Sequence, residues 1–235
     1  MNDCSQIKQF EQMVNQELLS YIKTNVFKEY EKNGKAHDIS HIMYVLNRAY
    51  EISKKYNINY DLLYITVSYH DIGDHIDREH HEIVSAKIMQ EDKNLDRFIS
   101  SKEKNIVKEA IEDHRASNPN IPRNIYGKIL ASADKNISID EYFLRAICYS
   151  FEHFQNHNRN EHIQRVYDHA QEKFGVNGYA VKKYYVDDDK YKKYLDDLQE
   201  LIKDKEKFDK KANEICDYIV NKNIWDVYCY TSFIL

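Results

Sequence analysis

The chain has 235 residues and a formal net charge of −5, which is long enough for one large domain or two small ones with a real core. Its mild acidity argues against a general nucleic-acid binder, because such domains are usually basic. With only 5 Gly and 2 Pro, the chain lacks the turn residues that a β-rich protein needs, which excludes an all-β fold. We therefore expect an all-α protein with no stable nucleic-acid binding.

Neither the membrane nor the secretory pathway is indicated by the sequence. No apolar run approaches the roughly 20 residues of a membrane-spanning helix, and the first residues lack the pattern of a secretory signal. The cysteines Cys4, Cys148, Cys216 and Cys229 are far apart and form no CxxC pair. Such spacing is typical of reduced thiols rather than of a disulfide framework. The sequence thus predicts a cytoplasmic protein that does not bind a membrane.

The first half of the chain carries apolar residues at helical spacing. The pattern predicts a first helix from about Ile7 to Tyr30 and a second from about Ile39 to Lys54. A third, with the sequence DLLYITVSYHDIG, runs from Asp61 to Gly73. Because this third segment is apolar almost all round, we expect it to lie buried inside a helical bundle.

Further helices follow to the C-terminal region. They are predicted near residues 80–90, 102–114, 124–135, 140–154, 160–174, 190–203 and 206–222. The clearest break is at Phe174–Gly178, where two glycines favour a turn. No repeat, linker or boundary divides the chain, so we expect a single all-helical domain over residues 1–235. Its motif-bearing core spans about 35–145, with a helical extension over about 146–222; residues 222–235 carry no motif.

Histidines and aspartates fall at the ends of these predicted helices. His41, His70, Asp71, His114 and Asp134 all do so. Imidazoles and carboxylates together make a mixed nitrogen–oxygen site of the kind that binds divalent transition metals. A carboxylate beside His70 on an apolar helix also needs pairing or coordination, since an isolated buried charge is costly. The pattern therefore indicates a metal site where helix ends meet.

Three segments resemble the signatures of a known family. KAHDISHIMYVLNRAYEI, YHDIGD and ILASADKN, in that order, resemble the motifs of the HD superfamily of metal-dependent phosphohydrolases, in particular its small bacterial members. That family is an all-helical bundle whose metal ligands are a His, a His-Asp doublet and a distal Asp. The resemblance covers about residues 37–145. It implies the ligands His41, His70, Asp71 and Asp134.

Two more segments, REHHEIVSAKIM and AIEDHRAS, resemble the extra histidines of the dinuclear branch. The alignment favours His81 over His80 as the first of these extra histidines, although the choice between the two stays open. The second is His114. The resemblance then implies one or two divalent ions (Mn, Fe, Mg, Co, Ni or Zn), with Asp71 bridging them if there are two. His37, four residues before His41, is more typical of a helix start than of a ligand.

The resemblance implies hydrolysis of a phosphate ester or anhydride, in a small phosphorylated substrate such as a nucleotide, by metal-activated water. Asp71 and Asp74 are the predicted catalytic residues, and the proton donor to the leaving group is expected to be Asp74 or a protonated histidine. Cations adjacent to the ligands suit a phosphate because they donate charged hydrogen bonds. The predicted substrate-binding residues are Arg78, Arg115, Arg123 and Lys135.

Departures from the family pattern leave the substrate open. Asp74 stands where some dinuclear relatives carry Lys, and Tyr44 stands where Arg is frequent. Two other functions remain as alternatives: a non-haem di-iron oxygenase of the same superfamily, and a non-catalytic nucleotide sensor. A homodimer is also left open. The later histidines, His153, His157, His162 and His169, lie in a charged region and are expected to face water.

Overall fold

The computed structural model of the protein describes residues 3–33 and 39–222. Every regular element within these ranges is helical, with no strand, so the predicted all-α fold is confirmed. The chain divides into two compact units, which we call unit 1 (residues 1–135 and 185–187) and unit 2 (136–184 and 188–235). The single-domain description stays a prediction. The predictions for His37 and for residues 223–235 lie outside the described residues.

The helices follow the predicted order. Their bounds are α1 Asp3–Met13, α2 Gln16–Tyr21, α3 Phe27–Glu29, α4 Ile39–Ser53, α5 Tyr60–Tyr69, α6 His81–Glu91, α7 Ser101–Asp113, α8 Ile125–Ala133, α9 Ile139–His153, α10 Arg159–Phe174, α11 Asp189–Lys203 and α12 Lys205–Lys222. Short 3-10 turns cover Tyr30–Lys32 and Lys93–Arg97, and a π-helical turn covers Ile22–Val26.

Helix α5 forms the centre of unit 1. Its residues from Leu62 to Tyr69 are all buried, and it packs against α4, α6, α7 and α8. A helix with apolar residues on every side gains most when neighbours cover all of it. As a result, the polar residues that directly follow α5 also lie inside the unit.

The prediction of one continuous helix from Ile7 to Tyr30 is wrong. The helix breaks at Asn15, whose side-chain oxygen accepts hydrogen bonds from the backbone N–H groups of Glu17 and Leu18. Asparagine is among the best N-cap residues because it satisfies these otherwise unpaired donors. The apolar period continues across the break, which is why periodicity alone predicted one helix.

The third predicted helix ends four residues earlier than expected, at Tyr69 rather than Gly73. Residues 70–77 form successive turns, in which the N–H of Asp74 donates to the carbonyl of Asp71 at 3.1 Å. The N–H of Gly73 donates to Oγ of Ser85 at 2.9 Å. A Cβ at Gly73 would lie 2.7 Å from Cγ1 of Val84, so glycine lets this turn press against α6.

Unit 2 is built from α9, α10, α11 and α12 around its own core. Phe143 and Phe208 lie near its centre, with ring centroids 4.7 Å apart. The predicted break after Phe174 is confirmed, since α10 ends there and a turn follows. The expectation that His162 faces water is wrong: this side chain is buried and its Nδ1 lies 2.9 Å from Oγ of Ser150.

Two further features were expected from the composition. None of the described helices has both the length and the apolar character needed to cross a membrane. Cys148 and Cys216 are buried free thiols in unit 2.

Candidate metal centre

The ends of several unit 1 helices deliver polar side chains to one place. His41 lies in the first turn of α4, and His81 is the first residue of α6. The remaining residues follow the last turns of their helices: His70 and then Asp71 after α5, His114 after α7 and Asp134 after α8. Imidazole and carboxylate side chains are short, so they meet only where the backbones themselves converge.

Asp71 stands between two pairs of imidazoles. Its Oδ2 lies 3.5 Å from Nε2 of His41 and 3.3 Å from Nε2 of His70. Its Oδ1 lies 3.3 Å from Nε2 of His81 and 3.4 Å from Nε2 of His114. Each carboxylate oxygen therefore faces its own pair of histidines, and the Asp71 side chain is 2% exposed.

Asp134 completes the first of these pairs. Its Oδ1 lies 3.1 Å from Nε2 of His41, and ligand atoms of His41, His70 and Asp134 all lie within 4.8 Å of one another. The same holds for His70, Asp71 and His114. Donor atoms this close can share one ion, so the cluster offers overlapping positions for a metal.

Three of the histidines are oriented by the backbone that directly precedes them. In His70, His81 and His114, Nδ1 lies 2.7, 3.0 and 2.6 Å from the backbone carbonyl oxygen three residues earlier. A carbonyl only accepts, so the ring proton sits on Nδ1 and the Nε2 lone pair points toward Asp71. Metal-ligating histidines generally donate their other N–H in this way.

The residues fit a divalent cation. Nε2 of His70 is buried and has no hydrogen-bond partner among the residues that the structure describes. A neutral imidazole lone pair that faces a carboxylate oxygen is stable only with a proton or a cation between them. Imidazole nitrogens with carboxylate oxygens are the donor set of Mn, Fe, Co, Ni and Zn sites.

The electrostatics of the cluster also favour positive charge. Burial alone lowers the pKa of His41, but contact with Asp134 and Asp71 outweighs it and raises the pKa to about 10. Burial likewise opposes the net rise in the pKa of His114, which Asp71 causes. The pKa of Asp134 is lowered because His41 outweighs the effect of burial. At His81, burial prevails and lowers the pKa.

Two residues outside the predicted ligand set hold the backbone next to the carboxylates: Asn33, which sequence reasoning missed, and Tyr44, which it noted only as a departure from the family pattern. Nδ2 of Asn33 donates to the backbone carbonyl of Asp71 at 2.9 Å. The hydroxyl of Tyr44 donates to the carbonyl of Lys135, adjacent to Asp134, at 3.0 Å. Asn33 precedes Asp71 by 38 residues outside any motif, so no sequence pattern pointed to it.

The structure brings His81, rather than His80, to the cluster. The His81 side chain is 10% exposed and faces Asp71. The His80 side chain is 62% exposed, and its Nδ1 lies 3.2 Å from Oδ2 of Asp77 at the surface. His80 is the N-cap of α6, with non-helical backbone angles, whereas His81 is the first helical residue.

Two of the predicted phosphate-binding arginines have carboxylate neighbours. Arg123 pairs with Glu112 at 2.7 Å and with Asp113 at 2.9 Å. Its charge is thus already offset, and it ties the loop before α8 to α7. Arg115 is half-buried beside His114, donates to the carbonyl of Glu79 and lies 3.5 Å from Oε2 of Glu82.

The three other predicted functional residues, Lys135, Arg78 and Asp74, lie close in sequence to residues of the cluster. Lys135 follows Asp134, and its ammonium lies 5.1 Å from the ring centroid of Tyr185. Arg78 is exposed in the turn before α6. Asp74 is buried in the turn that begins with Asp71.

Comparison with known proteins identifies this part of the chain. Residues 38–136 match the family model of the HD domain, and this segment contains all six residues of the cluster. No curated protein and no solved structure matches the chain significantly. The resemblance predicted from the three motifs is confirmed by the family match: the chain carries an HD domain.

Proposed function

We propose that this HD domain, residues 38–136, makes the chain a metal-dependent phosphohydrolase that acts on a phosphate ester or anhydride of a nucleotide. The observation that carries the proposal is the geometry of Asp71. One of its oxygens faces His41 and His70, and the other faces His81 and His114. A carboxylate placed in this way is suited to bridge two cations.

The donor groups divide naturally between two ions. His41, His70 and Asp134 with Oδ2 of Asp71 would hold one of them. His81 and His114 with Oδ1 of Asp71 would hold the other. Divalent ions bound in such sites act as Lewis acids on phosphoryl oxygens and make water nucleophilic near neutral pH.

The chain itself contributes orientation and a dry environment. The carbonyl contacts of Nδ1 hold the rings of His70, His81 and His114 with Nε2 turned toward Asp71. His70 and Asp71 are 0% and 1% exposed, and charge interactions strengthen where water is excluded. These groups need little rearrangement when charge develops on a substrate, which is the basis of preorganised catalysis.

Cations near the cluster would bind the phosphate. We assign this role to Arg115 and Lys135, each of which directly follows a ligand and is half-buried, and to Arg78 in the turn before His81. An arginine fork can donate two hydrogen bonds to one phosphate. Arg123 is left out because it forms close ion pairs with both Glu112 and Asp113, at 2.7 and 2.9 Å, whereas the Glu82 carboxylate lies 3.5 Å from Arg115.

Asp74 is the residue to which we assign proton delivery to the leaving oxygen. Its side chain is 7% exposed, and its N–H donates to the carbonyl of Asp71 at 3.1 Å. The turn thus ties the position of Asp74 to that of the central ligand.

The proposal is tested with the purified chain loaded with Mn²⁺ and a panel of nucleotides scored for released phosphate. We expect turnover of at least one nucleotide and a loss of at least about 100-fold in Asp71→Asn, because ligand-site changes of this kind are severe. Asp140→Asn, an exposed carboxylate of unit 2, is the matched control and should keep full activity.

The same experiment distinguishes the alternatives. Saturable nucleotide binding without turnover under any divalent metal would favour the sensor and contradict hydrolysis. Oxygen consumption by the Fe-loaded chain, with no phosphate released, would favour the oxygenase.

A further inference from the structure

Three basic side chains share one face of α10 in unit 2. Arg165, His169 and Lys173 are spaced four residues apart (165, 169, 173), and positions four apart lie above one another on a helix. Helix α9 packs against α10 and contributes Tyr149 beside Arg165 and Tyr142 beside His169. We call these three basic residues the α10 basic face; none of them belongs to the HD domain.

Arg165 is held by two aromatic rings. Its guanidinium carbon lies 4.9 Å from the ring centroid of Tyr149 and 4.3 Å from that of Phe154. Stacking of this kind uses the flat faces of the guanidinium and leaves its N–H groups, which lie in the plane, without acceptors. Nη1 is buried and has no hydrogen-bond partner among the described residues, a costly arrangement unless an acceptor is supplied.

His169 lies in the middle of the face and is kept neutral. Its Nδ1 is 3.1 Å from the hydroxyl of Tyr142, and the two rings are stacked. Burial, followed by the charges of Lys173 and Arg165, lowers the pKa of His169 to about 4. The cations are therefore close enough to oppose a further positive charge between them.

Lys173 is also partly buried and lies near another cation. Burial and the charge of Arg145 lower its pKa. Arg145 has a carboxylate partner, Glu141, at 2.7 Å, whereas Lys173 and Arg165 form no ion pair with any residue that the structure describes. The nearby acids of α10 bond elsewhere: Glu161 accepts from the N–H of Asn158 and Asp168 accepts from Gln164. The α10 basic face thus gathers cations that these carboxylates do not pair with.

We propose that the α10 basic face binds the phosphate groups of a small phosphorylated molecule, at a site separate from the metal centre. Arg165 would donate in-plane hydrogen bonds to a phosphate, with Lys173 as the second cation. Arg165 and Lys173 lie eight residue steps apart, about 12 Å along the helix at 1.5 Å per residue, a separation that their two long side chains can close onto the phosphates of one small molecule. A nucleic-acid strand is a poorer fit because the chain carries a net charge of −5 and such binders are usually basic.

Binding of inorganic tripolyphosphate to the full chain tests this site. The protein is stripped of metal with a chelator that is then removed, and affinity is measured by calorimetry at low salt. We expect Arg165→Gln and Lys173→Gln each to weaken binding about 10-fold, the usual scale for a lost charged hydrogen bond. Lys193→Gln, an exposed cation of α11 paired with Asp197, is the matched control and should bind as the unmodified chain does.

A second readout uses the unmodified chain and so does not depend on any variant folding. Bound anion would offset the charges of Lys173 and Arg165, so the pKa of His169, followed by NMR of its ring, should rise from about 4 toward its usual range. Asp71→Asn should leave tripolyphosphate binding unchanged. Equal affinity in all variants, an unmoved His169 titration at saturation, or loss of binding in Asp71→Asn alone would overturn the proposal.

Discussion

The two units are built from the same kind of element, yet they gather charged groups in different ways. In unit 1, the polar cluster lies at helix ends, where His41, His70, His81 and His114 surround Asp71. In unit 2, the basic residues lie along the side of one helix and stack on aromatic rings.

This difference follows from the reach of the side chains. Imidazole and carboxylate groups are short, so several of them meet at one point only where backbone segments lie close together, as the helix termini of unit 1 do. Arginine and lysine have long apolar stems that lie along packed rings while the charged group reaches further. Helix ends therefore suit a compact cation site, and a helix face suits an elongated anion. The predictions that follow test this contrast, from the largest expected effect to the smallest.

Removal of divalent metal should destabilise unit 1 and leave unit 2 unchanged. A metal that binds only the folded state stabilises it by about 2.7 kcal/mol at 100 times its dissociation constant. We expect a chelator to reduce hydrogen-exchange protection in α4, α5 and α7, and not in α9 or α10. Equal loss of protection in both units, or none in either, would contradict a metal centre confined to unit 1.

Gly73→Ala should damage the metal centre through the turn that carries Asp71. The new methyl group would lie 2.7 Å from Cγ1 of Val84 and 2.9 Å from the backbone nitrogen of Ser85. Such overpacking costs about 1–3 kcal/mol. We expect a lower melting temperature and weaker Mn²⁺ binding, both measured by calorimetry. Gly127→Ala is the comparison, because its Cβ would lie 3.1 Å from its nearest neighbour. It should lower the melting temperature less than Gly73→Ala does, and it should reduce the affinity for Mn²⁺ less.

Acid should weaken unit 2 through His169. Its folded pKa of about 4 lies below the ordinary value near 6.5, so the unfolded chain binds the proton first. The stability that this residue contributes is complete above about pH 6.5 and is lost as the pH falls toward 4. Since His169 is half-buried, we expect a loss on the order of 1 kcal/mol between pH 7 and pH 5.

Denaturant unfolding at the two pH values, followed by probes in α9 and α10, measures this loss. His169→Gln should reduce the pH dependence by that amount. An NMR titration midpoint near 6.5 for His169 in the folded chain would contradict the account.

The contrast between the units also explains what the sequence could predict. Periodicity identified the helices from α4 onward to within a few residues because their apolar stripes are regular. It failed at Asn15, where a capping side chain breaks a helix without breaking the apolar period. It also failed at Gly73, where the helix had already ended at Tyr69.

The candidate site was predictable where motif and helix end coincide. His41, His70, Asp71 and Asp134 fall in three ordered motifs, and the structure brings all of them together. Contacts between residues far apart in sequence could not be predicted from a motif. The hydrogen bond from Asn33 to the carbonyl of Asp71 and the ion pair of Arg123 with Asp113 both depend on tertiary packing. The α10 basic face was missed because charged residues in a polar region are expected to face water.

The number of ions held by Asp71 tests the central claim most directly. Elemental analysis of the Mn²⁺-saturated chain should find two ions per chain, one for each carboxylate oxygen and its histidine pair. His114→Ala removes a donor that lies 3.4 Å from Oδ1, so it should bind about one ion and retain the position formed with His41, His70 and Asp134. A single ion in the unmodified chain, unaffected by His114→Ala, would contradict the bridging role of Asp71.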